Sequence, residues 1–153
     1  MNTLTVQHLK KTFGKGETAV SAVDDVSFDV SAGEIALIMG PSGSGKTTLL
    51  SMIGGLLTPT SGSIAINGKE ITRIPKKQLP DIRLRKIGFV FQSFNLFQNL
   101  TGLENVQYVG ELAAQSSSAA KKKATELLEK LHLEKRMHAL PAQLSGGQQQ
   151  RVS

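Results

Sequence analysis

The sequence predicts an α/β fold built around a phosphate-binding loop. Three observations carry that reading. Ile35-Ala36-Leu37-Ile38-Met39 is an unbroken apolar run of strand length. It leads directly into Gly40-Pro41-Ser42-Gly43-Ser44-Gly45-Lys46-Thr47, which fits the pattern G-x-x-x-x-G-K-[ST]. From Thr47 to Leu56 no proline intervenes, and Leu49, Leu50, Ile53 and Leu57 recur at helical spacing. A strand, a glycine-rich loop and a helix in that order form a phosphate cradle. The glycines let backbone N–H groups turn inward, and the helix N-terminus adds free donors and partial positive charge.

The other elements follow in chain order. Leu4–Leu9 alternates loosely and predicts a strand, and Lys15-Gly16-Glu17 predicts a turn. Val26–Val30 alternates apolar and polar, as in a half-buried strand, and Ala32-Gly33-Glu34 turns the chain into the apolar run. Pro59–Gly62 reads as a turn, Ser63–Ile66 as a short strand and Asn67-Gly68 as a hairpin-type turn. Pro75 and Pro80 break up the next stretch, and Ile87–Phe91 predicts another strand ending at Gln92. From about Leu103 the pattern becomes helical. Ala124, Leu127, Leu128 and Leu131 share one helical face, which Ser116-Ser117-Ser118 caps or precedes. The expected organisation is a nucleotide-binding α/β core over residues 1–92 and a mostly helical part over 93–153.

Composition excludes some classes. The chain has 153 residues and no cysteine, so neither disulfides nor thiolate metal sites arise. No apolar run approaches the roughly 20 residues of a membrane span, and no basic start followed by an apolar stretch marks a signal peptide. The net charge of +6 is read as a solvated surface plus a phosphate site, because the lysines are scattered and no aromatics alternate with them. Nucleic acid or an anionic membrane is the alternative reading of that charge. His8, His132 and His138 lack metal-ligand spacing and are read as surface or core residues.

Within the loop, Lys46 can reach the outer phosphates and the Thr47 hydroxyl can hold Mg²⁺. A second motif, Leu144-Ser145-Gly146-Gly147-Gln148, is by itself a helix-capping turn with Ser145 as the cap. Together with the loop it resembles the signature motif of the nucleotide-binding subunit of ATP-binding cassette (ABC) transporters, and Gln149-Gln150-Arg151-Val152 continues the resemblance. The resemblance covers essentially the whole chain. It implies a P-loop NTPase fold of the ABC type: a mixed β-sheet core, an antiparallel β subdomain and a helical subdomain. Phe13 then stands where an aromatic ring stacks on adenine, the alternative being a core Phe, and Val20 lines the same pocket. Gly40, Pro41, Ser42, Gly43, Ser44, Gly45, Lys46, Thr47 and Thr48 bind phosphate. Gln92 matches the glutamine that contacts Mg²⁺ or the attacking water, and Ser93–Phe97 lies where the family meets its membrane subunit. Ser145, Gly146, Gly147 and Gln148 bind the γ-phosphate of ATP held by a second subunit.

The implied cofactors are ATP and Mg²⁺. The implied partners are membrane-spanning permease subunits and a second ATP-binding subunit, identical or not, with no nucleic acid. The implied place is cytoplasmic, on the inner face of the cell membrane. Ile87–Leu96 and Gly102–Val106 look like the branch serving lipoprotein-release, macrolide-export and glycolipid-export systems. The family pattern continues with a buried strand bearing an Asp and a Glu, and later a switch histidine. None of these can be assigned here, so the chain is expected to be C-terminally truncated, to expose an apolar edge at Ile35–Met39 and to turn over ATP poorly. Two alternatives stand beside the transporter reading: a non-transport ABC ATPase acting on nucleic acid or ribosomes, and a nucleotide-binding fragment without turnover. The absence of sustained heptads between Lys46 and Ser145 argues against the coiled-coil chromosome-maintenance type.

Overall fold

The computed structural model describes Asn2–Ser153, and its contacts divide the chain into two compact units, Met1–Ile87 and Gly88–Ser153.

The first unit is built on a four-stranded antiparallel sheet. Strands β1 (Asn2–Phe13), β2 (Val20–Ser31), β3 (Ser61–Ile66) and β4 (Lys69–Glu70) are ordered β2-β1-β3-β4. β1 and β2 are both longer than their alternation suggests, because a hairpin over residues 14–19 pairs them from Asn2↔Ser31 to Phe13↔Val20. The register slips between Val6 and Leu9. His8 takes left-handed backbone there (φ 48°), Asp25 takes it at the next slip, between Leu9 and Lys11 (φ 53°), and His8 Nδ1 lies 2.9 Å from Asp25 Oδ1.

Helix α1 (Lys46–Ile53) lays Leu49 and Met52 on the sheet, joining Val6, Leu9, Val23, Ile64 and Ile71 in one buried cluster. Leu50, expected on the buried face, is 52% exposed. The helix also stops before the expected Leu56. Gly55 is left-handed (φ 65°), and the Leu56 N–H turns back to the Ser51 carbonyl at 2.8 Å, a glycine-terminated helix end.

Three local expectations change. Ile35–Met39 is not a laddered strand. Ile38 packs on the core, but Ile35, Leu37 and Met39 are 95%, 77% and 79% exposed. An apolar run supplies burial, whereas a ladder needs a neighbouring strand, and none among the described residues pairs with it. What is exposed there is an apolar segment and not the edge of a sheet strand. Ile87–Phe91 likewise joins no sheet. The stretch around Pro75 and Pro80 is not merely broken up. A 3₁₀ turn at Lys76–Gln78 leads into helix α2 (Leu79–Lys86), with Pro80 in its first turn, where its missing N–H costs nothing. Arg83 anchors α2 by donating to the Gly55 carbonyl at 3.0 Å.

The second unit is helical: α3 (Gly102–Leu112), α4 (Ser117–Lys130) and α5 (Gly146–Val152). Leu103, Ala124, Leu128, Leu133, Met137, Leu144 and Val152 form its core. Of the face foreseen on α4, Ala124 and Leu128 are buried, while Leu127 and Leu131 stay 39% and 41% exposed; Leu133 and Met137, beyond the helix, fill the core instead. Ser116 caps α4 by accepting from the Ala119 N–H at 3.3 Å. Thr101 and Glu104 close a capping box on α3. The Thr101 backbone N–H that donates to the Glu104 carboxylate is the first reason that carboxyl lies below its ordinary range.

The segment before α3 is organised by one buried amide, Asn105. Its Oδ1 accepts from the Phe97 N–H at 2.8 Å, and its Nδ2 is shared among the carbonyls of Phe97, Leu100 and Thr101 at 3.2, 2.9 and 3.0 Å. Removing it strands several partly buried backbone groups. Asn105→Ala is expected to destabilise the protein by about 2–4 kcal/mol in urea unfolding, well above the cost of an exposed Asn→Ala change.

Candidate functional site

The phosphate loop runs from Gly40 to the first turn of α1. Its geometry is fixed by Gly45, the residue that caps the helix. Gly45 sits in the left-handed region (φ 84°), and a Cβ built there would collide with the carbonyl oxygen of Ala22 on β2. Only glycine provides both the turn and the close approach. The loop is thus pressed against a sheet strand, and the Leu49 N–H closes the first helical turn on the Gly45 carbonyl at 2.8 Å. No acidic side chain occupies the first turn of α1, so no carboxylate of the helix itself offsets the positive end of its dipole.

Lys46 folds back into the loop. Its Nζ donates to the Gly40 carbonyl at 2.8 Å, the Pro41 carbonyl at 2.6 Å and Ser44 Oγ at 3.3 Å. A half-buried ammonium held by three neutral oxygens is poised to exchange them for anionic ones, since charge-assisted hydrogen bonds are the stronger kind. Thr47 is exposed and Thr48 half-buried in the same helical turn. A cavity of about 330 Å³ beside the loop is lined by Ala22, Asp24, Met39, Ser44 and Lys46 among others. Phe13 and Val20 face each other at the turn end of the β1–β2 hairpin, 44% and 62% exposed. An apolar pair left uncovered there is consistent with a flat ligand and does not match a core role for Phe13.

The remaining expected residues lie on the second unit. Gln92 is exposed in a turn closed by the Phe94 N–H on the Phe91 carbonyl at 3.2 Å. Phe94 and Asn95 are consecutive left-handed residues (φ 61° and 53°), a conformation costly for a bulky side chain. Ser145 caps α5. Its Oγ accepts from the Gln148 N–H at 3.3 Å, and the Gln148 side chain returns the bond to the Ser145 N–H at 2.9 Å. The capping reading of this motif is therefore realised, and it does not exclude an anion site. A serine oxygen that accepts still has its own O–H to donate, and a Cβ on Gly147 would meet nothing within 4 Å. Residues 40–48 with Phe13 and Val20 form one group and Gln92 with Ser145–Gln148 another, one on each unit.

Sequence reasoning missed the supports. Gln149 fixes the approach to α5 by donating to the Pro141 and Leu144 carbonyls at 2.9 and 3.1 Å, and Gln150 donates to the Phe91 carbonyl at 3.4 Å, next to Gln92. Nothing local in a run of glutamines announces such reach. Among the described residues no three His, Asp or Glu side chains stand together as a metal site, and no helix is long and apolar enough to cross a membrane.

Known proteins resemble this chain closely. The family model described as ABC transporter matches residues 23–153. An uncharacterized ABC transporter ATP-binding protein of Thermotoga maritima is 50% identical over 143 residues, 94% of this chain and 61% of that protein. The macrolide export ATP-binding/permease protein MacB of Aggregatibacter actinomycetemcomitans is 45% identical over all of this chain, which matches 24% of its length. Among solved structures, the ATP-binding cassette MJ0796, a dimer in a post-hydrolysis state bound to ADP and Pi, superposes with a TM-score of 0.89 at 42% identity, over 97% of this chain and 66% of that one. The chain thus spans about a quarter to two thirds of the length of these relatives.

One substitution isolates the loop's constraint. Gly45→Ala is expected to weaken triphosphate binding at least tenfold, read by calorimetric titration, because the added methyl cannot avoid the Ala22 carbonyl.

Proposed function

The chain belongs to the ABC transporter family, and we propose that it serves as a transporter's ATP-binding subunit, gripping the nucleotide through the loop that Gly45 seats on β2. That close approach is the observation that carries the proposal, because it fixes where the glycine-rich segment turns into α1 and so where its last residues and Lys46 can meet a phosphate.

Residue roles follow from the chemistry. Phe13 stacks on the adenine with Val20 beside it. Gly40, Pro41, Ser42, Gly43, Ser44 and Gly45 cradle the phosphates with the N–H groups of Lys46, Thr47 and Thr48, and the Lys46 ammonium moves from loop carbonyls to phosphate oxygens. The cradle fits a phosphate, since a Cβ at Gly40 would run into Ser44 Oγ within the loop. The exposed Thr47 hydroxyl and Gln92 amide oxygen are hard oxygen donors suited to Mg²⁺, which supplies charge neutralisation on the phosphate oxygens. Ser145, Gly146, Gly147 and Gln148 act on the nucleotide held by a second subunit. Residues 1–92 serve as nucleotide-binding core and 93–153 as the helical part, with Ser93–Phe97 facing a membrane-spanning permease on the cytoplasmic side. The dimeric form of MJ0796 and the joined ATP-binding and permease functions of MacB support these two partners.

A second reading is favoured by one observation. No carboxylate in the sequence can be assigned as the base that orients water, and phosphoryl transfer depends on that positioning. A polypeptide of these 153 residues is therefore expected to bind ATP with little turnover.

Gly147→Asp tests the shared site. The position is open, and an acid in the first turn of α5 suits the helix dipole, so folding should be unharmed. The carboxylate should repel a partner's triphosphate. ATP-dependent dimerisation, followed by analytical ultracentrifugation with Mg²⁺-ATP, should be lost while each chain still binds ATP. Dimerisation unchanged by Gly147→Asp would contradict the shared site. Lys46→Ala should instead lose ATP binding itself.

A further inference from the structure

Two successive lysines near the end of β1 take different partners. Lys10 crosses the hairpin to Asp24 at 3.0 Å. Lys11 forms no ion pair among the described residues; its Nζ stands over the Phe13 ring, 5.1 Å from the centroid, and donates to the Thr58 carbonyl at 2.7 Å. Strand alternation puts residues 11 and 13 on one face, so the stacking is built into β1. The turn that holds the ammonium is itself tied to β1. The Thr12 N–H donates to Thr60 Oγ1 at 3.0 Å, and the Thr60 N–H donates to the Lys10 carbonyl at 2.8 Å. Lys11 is therefore a fixed contact, although it is a lysine on an open surface.

We propose that Lys11 is a positioning residue for the nucleotide base: anchored on the Thr58 carbonyl, it covers one face of Phe13 and leaves the other for adenine. The inference rests on the proposal that Phe13 stacks on the base. The ammonium is drawn to the negative face of the ring. A ring held from one side has fewer orientations to lose when a base settles on the other, so less ordering entropy opposes binding. With 44% of Phe13 exposed, room for that base remains.

A double-mutant cycle on the full chain tests the idea, with affinities for ATP and for inorganic tripolyphosphate measured by calorimetry. Lys11→Met should weaken ATP binding about threefold. Lys11→Arg, which keeps a cation over the ring, should restore most of that loss. In a Phe13→Ala background, Lys11→Met should have no further effect on ATP, and no variant should change tripolyphosphate affinity. An equal loss in the Phe13→Ala background, or a loss for tripolyphosphate, would place Lys11 at the phosphates or in the fold and overturn the proposal. If Phe13→Ala weakens ATP but Lys11→Met does not, the proposal fails and the stacking reading stands. If Phe13→Ala is harmless, both fall together.

Discussion

A peptide carbonyl lies where residue 45 would carry its Cβ. That steric fact, Ala22 of β2 against Gly45, organises the whole first unit. β2 is fixed by its pairing with β1, and β1 by its pairing with β3. The sheet therefore sets the point at which the loop must turn. The left-handed turn at Gly45 then sets the direction of α1, which lays Leu49 and Met52 into the same core as Val6, Leu9 and Ile64. Lys46 stands one residue beyond the turn, so its ammonium is aimed by the same constraint. Core packing and phosphate chemistry are not separate achievements here. Burial of the sheet-facing side of α1 holds its N-terminus where the proposed phosphate site needs it.

The second unit solves a different problem, holding short helices and irregular segments in place with little apolar area. It relies on polar clamps. Asn105 satisfies the backbone ahead of α3, a capping box starts both α3 and α5, and Gln149 and Gln150 tie α5 to its surroundings. At Ser145 a structural role leaves room for the proposed ligand role. The hydroxyl oxygen completes a helix cap while its proton stays free to donate, so a helix that is well capped is also ready for an anion.

Legibility in the sequence tracked the range of the interaction. The phosphate loop was readable because its glycines, lysine and threonine act through local backbone geometry. The caps at Ser116 and Ser145 were readable for the same reason. Ile35–Met39 and Ile87–Phe91 were misjudged as strands because a ladder is a property of two segments, and composition describes one. Helix α2 was missed because Pro80 reads as a breaker unless its place in the first turn is known. The extension of β1 to Phe13 was hidden by left-handed His8, yet that extension is what sets Lys11, Phe13 and Val20 together. Asn105 carries no local signal of its role, and only the structure shows that its buried amide holds the preceding segment.

The proposed site would recognise its ligand by phosphate first and by base second. Calorimetric titration of the full chain with ATP, ADP, AMP and adenosine in Mg²⁺ tests it most directly. A grip made of loop N–H groups, a helix N-terminus and Lys46 predicts strong binding of ATP and ADP, and much weaker binding of AMP and adenosine. Adenosine binding as tightly as ATP would contradict the account, because the loop seated by Gly45 would then contribute nothing to recognition.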